Sequence, residues 1–276
     1  MVKRPEIGDT GRLFPKARKR FGQHFLEPAW VARMVDRMEV RPDDTILEIG
    51  AGRGALTRPL AERAGRVVAV EIDRILAAEL PGLMPPNVHV VEGDVLDLDL
   101  AALLATERRP VRVAGNLPYN VSSPILFRLL GAAQGGSLIA DATLMLQKEV
   151  ADRLVASPGS GEYGVLAVQT QLVAEVDRLL SLPPGAFRPP PKVSSAVVRL
   201  RFRPPVADPG NPATFERIVR GVFLQRRKTL ANALKPVAHQ LGRDAGDLLR
   251  ASGIDGSRRP EVLTVAEFAA LSRAVL

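Results

Sequence analysis

Through the first 180 residues, short apolar runs alternate with stretches in which apolar residues recur every three or four positions. Thr45–Ile49, Arg66–Glu71, Val88–Glu92, 111–115 and 142–147 are the short runs, and they predict buried strands. Between them, 55–64, 74–80, 100–106, 123–130 and a stretch from the end of the fifth run through Val155 predict helices. An amphipathic helix over Pro28–Met38 precedes the series. Strands separated by helices at this spacing predict a doubly wound, largely parallel sheet. A flexible loop is expected at 157–161 and a helix at 163–171. Two further strands, 173–180 and 195–203, are joined by a proline-rich loop at 183–192. That loop is too short for a crossover helix, so the last pair is expected to be antiparallel. Prolines and a glycine between 203 and 212 mark a linker, and the rest of the chain reads as helical. The expected division is 1–205 and 206–276. Residues 1–20 are basic without apolar periodicity and read as an arm, loose until Phe21.

Composition narrows the possibilities. Of 276 residues, 46% are hydrophobic, enough for a sizeable core. No apolar run is long enough to cross a bilayer, and the basic N-terminus lacks a signal peptide's apolar core. A soluble, cytoplasmic protein is expected, with no membrane partner. There is no cysteine, and the three histidines (His24, His89, His239) include no pair at ligand spacing, so no metal is expected. The net charge of +8 points to a polyanion, most simply nucleic acid. Lys192 and the run Arg226-Arg227-Lys228, read as part of a helix, are the candidate phosphate contacts. A solvated basic face is the alternative.

Glu48-Ile49-Gly50-Ala51-Gly52-Arg53-Gly54 lies between the first strand and its helix, where glycines let the backbone turn sharply against a ligand. Gly50, Gly52 and Ala55 also satisfy the looser dinucleotide pattern. The acids favour S-adenosylmethionine. Glu48 stands where it can meet the ammonium of a methionine, Glu71 ends the second strand where a carboxylate holds a ribose diol, and Asp94 can accept from an adenine amino group. Asp73 reads as a helix cap. Asn116-Leu117-Pro118-Tyr119 emerges at the carboxyl end of another strand, where open α/β sheets place ligands. These residues suit methylation of an exocyclic amino group. The Asn116 amide oxygen and the carbonyl of Leu117 or Pro118 can each accept one amino hydrogen and localise the nitrogen lone pair. Pro118 stiffens the turn, and Tyr119 offers a stacking face. An ordinary turn with a buried tyrosine is the alternative.

These motifs occur in order with Gly22-Gln23-His24-Phe25-Leu26, Phe187-Arg188-Pro189-Pro190-Pro191-Lys192-Val193 and Phe223–Leu230. From about residue 16 onward the chain closely resembles the KsgA-type ribosomal RNA adenine dimethyltransferases of the small subunit. The resemblance implies a Rossmann-like class I methyltransferase sheet with a small C-terminal helical domain. It implies S-adenosylmethionine-dependent conversion of two adjacent adenosines, in a hairpin loop near the 3′ end of small-subunit rRNA, to N6,N6-dimethyladenosine. The partner is that RNA within an immature small subunit, and a monomer is expected. The implied cofactor contacts are His24, Leu26, Gly50, Glu71, Asp94 and Asn116, beside Glu48 and Gly52 of the glycine loop. Many relatives carry Asn where this chain has His24. The implied catalytic loop is Asn116, Leu117, Pro118 and Tyr119. Phe187 is implied to stack on the target base opposite Tyr119, with a core anchor as the alternative. Large-subunit rRNA methylation, small-molecule N-methylation and a catalytically idle assembly role are the competing readings.

Overall fold

The computed structural model describes residues 25–134 and 138–276. The expected arm and His24 lie outside the described residues. Seven strands form one sheet in the order β4-β3-β2-β5-β6-β9-β7. They are β2 (Thr45–Ile49), β3 (Arg66–Glu71), β4 (Val88–Glu92), β5 (Val111–Asn116), β6 (Ile139–Gln147), β7 (Ala174–Leu182) and β9 (Ser195–Phe202). The first five run parallel, while β9 lies between β6 and β7, antiparallel to both. The antiparallel ending is the expected one. A pairing absent from the sequence reading joins β1 (Phe25–Leu26) to β8 (Phe187–Arg188).

Successive residues of the buried strands serve opposite faces, because side chains alternate across a strand. Ile46, Val67, Ala69, Ala114, Met145 and Val197 pack with α1 (Pro28–Met38) and α2 (Thr57–Ala61). Leu47, Val68, Val70, Val113 and Leu144 pack on the other face with α5 (Ser122–Gln134) and α6 (Lys148–Leu154). Helix α2 is shorter than the sequence pattern predicts. Gly54 takes φ +78°, and a Cβ there would stand 2.5 Å from Met84 Cε, so the chain turns before it can coil. Helix α1 begins on Pro28, whose missing N–H costs nothing at that position. Its other end is fastened to the sheet by Arg112, which donates to the Met38 carbonyl (2.6 Å) and pairs with Asp44 (2.8 Å) and Asp141 (2.9 Å).

After β9 come α8 (Pro212–Phe223), α9 (Leu230–Gln240), α10 (Ala245–Ser252) and α11 (Val265–Arg273). Their apolar faces share one buried cluster with Tyr163, Ala167, Val168 and Leu172, in or just before α7 (Val165–Val173). The Tyr163 hydroxyl donates to the Leu263 carbonyl at 2.9 Å. The loop at 203–211 is therefore a boundary in sequence across which packing is continuous.

Candidate active site at the strand ends

The sheet reverses its winding between β2 and β5, and register sets three chemical groups level at that point. Ile49 pairs with both Val70 and Gly115, so Gly50, Glu71 and Asn116 leave their strands side by side. Gly115 permits this approach, because a Cβ there would lie 2.8 Å from the Ile49 carbonyl oxygen. A cavity of about 310 Å³ opens beyond these ends. Glu48, Gly50, Gly52, Glu71, Asp94 and Asn116 line it, with Leu26, Val31 and Met34 on one side and Leu117–Tyr119 on the other.

The two glutamates are held differently. Glu71 accepts from the Gly52 N–H (2.7 Å) and the Asp73 N–H (2.8 Å), so its carboxylate shapes the glycine loop as well as facing the cavity. Asp73 caps α3 (Arg74–Glu79) through the Ile75 N–H, as expected. Glu48 is 1% exposed in the middle of a strand, and its Oε2 has no hydrogen-bond partner. Burial, with some help from the Glu71 charge and against the pull of Thr57, pushes its pKa up to about 7. Asp94 spends one oxygen on the Leu96 N–H at 2.9 Å.

On the other wall, the Leu117 side chain is buried in the core and its N–H donates to the Met145 carbonyl at 3.2 Å. That burial makes Leu117 an anchor for the loop. The Pro118 carbonyl accepts from the Val121 N–H (3.1 Å), and the Tyr119 carbonyl from the Ser122 hydroxyl (3.2 Å). The half-buried Tyr119 phenol lies 2.7 Å from Ser195 Oγ, and burial raises its pKa despite that hydrogen bond.

Residues 14–272 match the ribosomal RNA adenine dimethylase family. The chain belongs to that family. The ribosomal RNA small subunit methyltransferase A of Geobacter metallireducens is 47% identical over 95% of this chain and 96% of its own. Its counterpart in Acinetobacter baylyi is 46% identical, over 93% and 92%. A solved dimethyladenosine transferase from Plasmodium falciparum superposes with a TM-score of 0.72 at 25% identity, covering 90% of this chain and 96% of that one. The 23S rRNA methyltransferase ErmE gives 0.63 at 28%, covering 91% and 99%. The sheet is thus a class I methyltransferase sheet, and the dimethylase's cofactor is S-adenosylmethionine.

The cavity fits that cofactor. An unpartnered buried carboxylate oxygen is costly, and an ammonium is the group that would satisfy Glu48. Gly50 and Gly52, at φ +78° and +57°, leave their side of the cavity open to a bulky ligand. Ile72 is a residue that the sequence reading missed. It is 49% exposed and lines the cavity directly after Glu71, an apolar surface beside the Glu71 and Asp94 carboxyl groups. Its exposed position is invisible in the pattern, because an apolar residue after Glu71 reads as one more alternating position of β3. Val31 and Met34 were missed for the related reason that an apolar helix face does not say which part of it meets a cavity.

Two expectations for the RNA side of the dimethylase change. Phe187 is 2% exposed and packs in the core beside α1, with Val31, Met34, Leu182 and Ala186 in the same cluster. It is not among the cavity-lining residues. The β1–β8 pairing sets Phe187 opposite Leu26. Arg226, Arg227 and Lys228 lie in the turn between α8 and α9, not on a helix. Within it, Arg226 is committed to Glu261 (3.0 Å) and the Gly161 carbonyl (3.2 Å). Arg227 and Lys228 stand exposed, beside Leu224 at the start of the same turn, and Lys192 is exposed on the proline loop. Among the described residues no helix is long and apolar enough to cross a membrane, and no cluster of three His, Asp or Glu gathers.

Proposed function

We propose that this dimethylase methylates N6 of two adjacent adenosines in the 3′-terminal hairpin loop of small-subunit rRNA, acting as a monomer on an immature subunit. The observation that carries the reading is the meeting, in one cavity, of the Glu48–Gly54 loop with Asn116–Tyr119. S-adenosylmethionine supplies an electrophilic methyl group. Glu71 and Asp94 hold the adenosine part of the cofactor, and Glu48 takes its ammonium. The Asn116 amide oxygen and the carbonyl of Leu117 or Pro118 accept the two hydrogens of the target amino group. That nitrogen is a poor nucleophile while its lone pair is delocalised, and the two acceptors localise and aim it. Catalysis is then mostly positioning. The Tyr119 phenol is bound to Ser195 and hard to ionise, so it serves as a stacking face and not as a base. The methylated nitrogen is acidic enough to release its proton to water. Lys192, Arg227 and Lys228 meet phosphate, with residues 206–276 as the docking part; such contacts position the RNA without specifying it.

Incubating small-subunit particles that lack the modification with enzyme and cofactor, followed by mass spectrometry of the rRNA, tests this reading. Dimethylation of the two adjacent adenosines is expected. Methylation of large-subunit rRNA alone would replace it with the ErmE-like activity, and none on either RNA would leave an assembly role.

A further inference from the structure

We infer that Ser195 is a positioning residue for the target base, holding the Tyr119 phenol so that the ring stands as a fixed wall of the cavity. The inference rests on the reading of Tyr119 as the stacking face.

The ring is gripped at both ends. At its Cα, the backbone is tied by the Pro118 carbonyl to the Val121 N–H and by the Tyr119 carbonyl to the Ser122 hydroxyl. At its far end, the phenol oxygen sits 2.7 Å from Ser195 Oγ. Ser195 is 1% exposed and opens β9, where it pairs with Gln147 of β6 on one side and Leu182 of β7 on the other. A hydroxyl set between two strands cannot follow a drifting ring, so the sheet itself fixes the phenol. Burial disfavours the phenolate, which keeps the contact a bond between two neutral hydroxyls across the working pH range. Ser195 also closes the proline loop. The preceding Ser194 carbonyl accepts the Lys148 N–H at 2.9 Å, and the loop's aromatic residue, Phe187, is buried in the core. The loop thus reaches the target base through Tyr119, by way of its last residue instead of its first aromatic.

A plainer account is that Ser195 only satisfies a buried phenol. The two accounts differ in what moves when the bond is cut. Tyr119→Phe, Ser195→Ala, the double variant and Tyr119→Ala would be compared in the full-length enzyme. The measurements are thermal melting, S-adenosylhomocysteine affinity by calorimetry, and single-turnover methylation of small-subunit particles at saturating and limiting RNA. Tyr119→Phe cuts the bond without touching the sheet, so the test survives a poorly folding Ser195→Ala. We expect Tyr119→Phe and Ser195→Ala each to slow transfer by about three- to tenfold, the range of one neutral hydrogen bond. Cofactor affinity should stay within about twofold of wild type, and the double variant should be no slower than either single one. Unchanged transfer in Tyr119→Phe would overturn the inference, as would losses that multiply in the double variant. Parallel loss of melting temperature, cofactor affinity and rate would also overturn it, in favour of the plainer account. Tyr119→Ala separates the layers: wild-type transfer there would sink the stacking reading itself. A large loss there beside intact Tyr119→Phe and Ser195→Ala would sink only the role of Ser195.

Discussion

At the ends of β2 and β3, the polar contacts are short-range in sequence. Glu71 meets Gly52, 19 residues away, and Asp73, two residues away. The opposite wall of the same cavity is assembled from distant segments. Tyr119 reaches Ser195 across 76 residues, and the Leu117 N–H reaches the Met145 carbonyl of β6. The Glu48–Glu71 side is a property of two neighbouring strand–loop units, and the Asn116–Tyr119 side is a property of the finished fold. Damage to the first should therefore show in cofactor affinity, while damage to the second should show in target turnover or in stability.

The largest effect is expected for Phe187→Ala. It should destabilise the protein by about 3–5 kcal/mol, as truncation of a buried aromatic does, while Phe187→Leu should cost under about 1.5 kcal/mol. Urea unfolding of both variants reads this. Loss of methylation at unchanged stability would return the ring to the target base and blur the contrast between anchor and catalytic loop. Asn116→Ala should lower single-turnover methylation by about a hundred- to a thousandfold while S-adenosylhomocysteine still binds, because a contact strengthened in the transition state appears in kcat. A near wild-type rate would remove Asn116 from the chemistry.

Glu71→Ala should weaken the cofactor by about 1.5–3 kcal/mol and leave RNA affinity intact, as calorimetry with each ligand will show. Equal loss of both would mean that the two walls are not separable. Glu48 adds a pH signature. Its carboxyl, held at about 7 without cofactor, must ionise to meet an ammonium. Affinity should then be nearly complete at pH 8 and fall about tenfold between pH 8 and pH 6. Glu48→Gln should flatten that profile. It should also make the cofactor-free protein relatively more stable at pH 8, because an acid whose folded pKa is raised loses stability as pH climbs through the window from 4.5 to 7. The smallest effect belongs to the α8–α9 turn. Neutralising Arg227 and Lys228 should lower the slope of log K against log salt by up to about two units, and Arg226→Ala should add little beyond destabilising its pairing with Glu261. An equal contribution from Arg226 would show that its ion pair opens on RNA.

The same contrast explains what could be read without a structure. The five parallel strands and the antiparallel end were legible because buried strands carry dense apolar runs, and Glu48, Gly50, Glu71 and Asp94 because each sits at a fixed offset from a strand end. Asn116–Tyr119 was legible for the same reason. The partner of Tyr119 was not: a serine at the start of β9 looks like any strand opening. The burial of Phe187 was not legible, because two-residue strands leave no periodicity. Arg226 differed from Arg227 through partners far along the chain, Glu261, 35 residues further on, and the Gly161 carbonyl. Local pattern carries the chemistry that local contacts hold, and it is silent about the rest.

The insertion of β9 between β6 and β7 bears on how the chain is made. While it emerges from the ribosome, β6 is complete at Gln147, yet the neighbour that covers its edge begins only at Ser195. For roughly fifty residues, on the order of several seconds of elongation, the nascent sheet carries an open hydrogen-bonding edge with one face apolar through Ala142, Leu144 and Leu146. Late in that interval β7 (Ala174–Leu182) is also completed and must be kept one strand's width away. The segment that finally fills the gap also delivers Ser195, so the nascent enzyme passes from an aggregation-prone half-sheet to one with a complete target wall in a single late step.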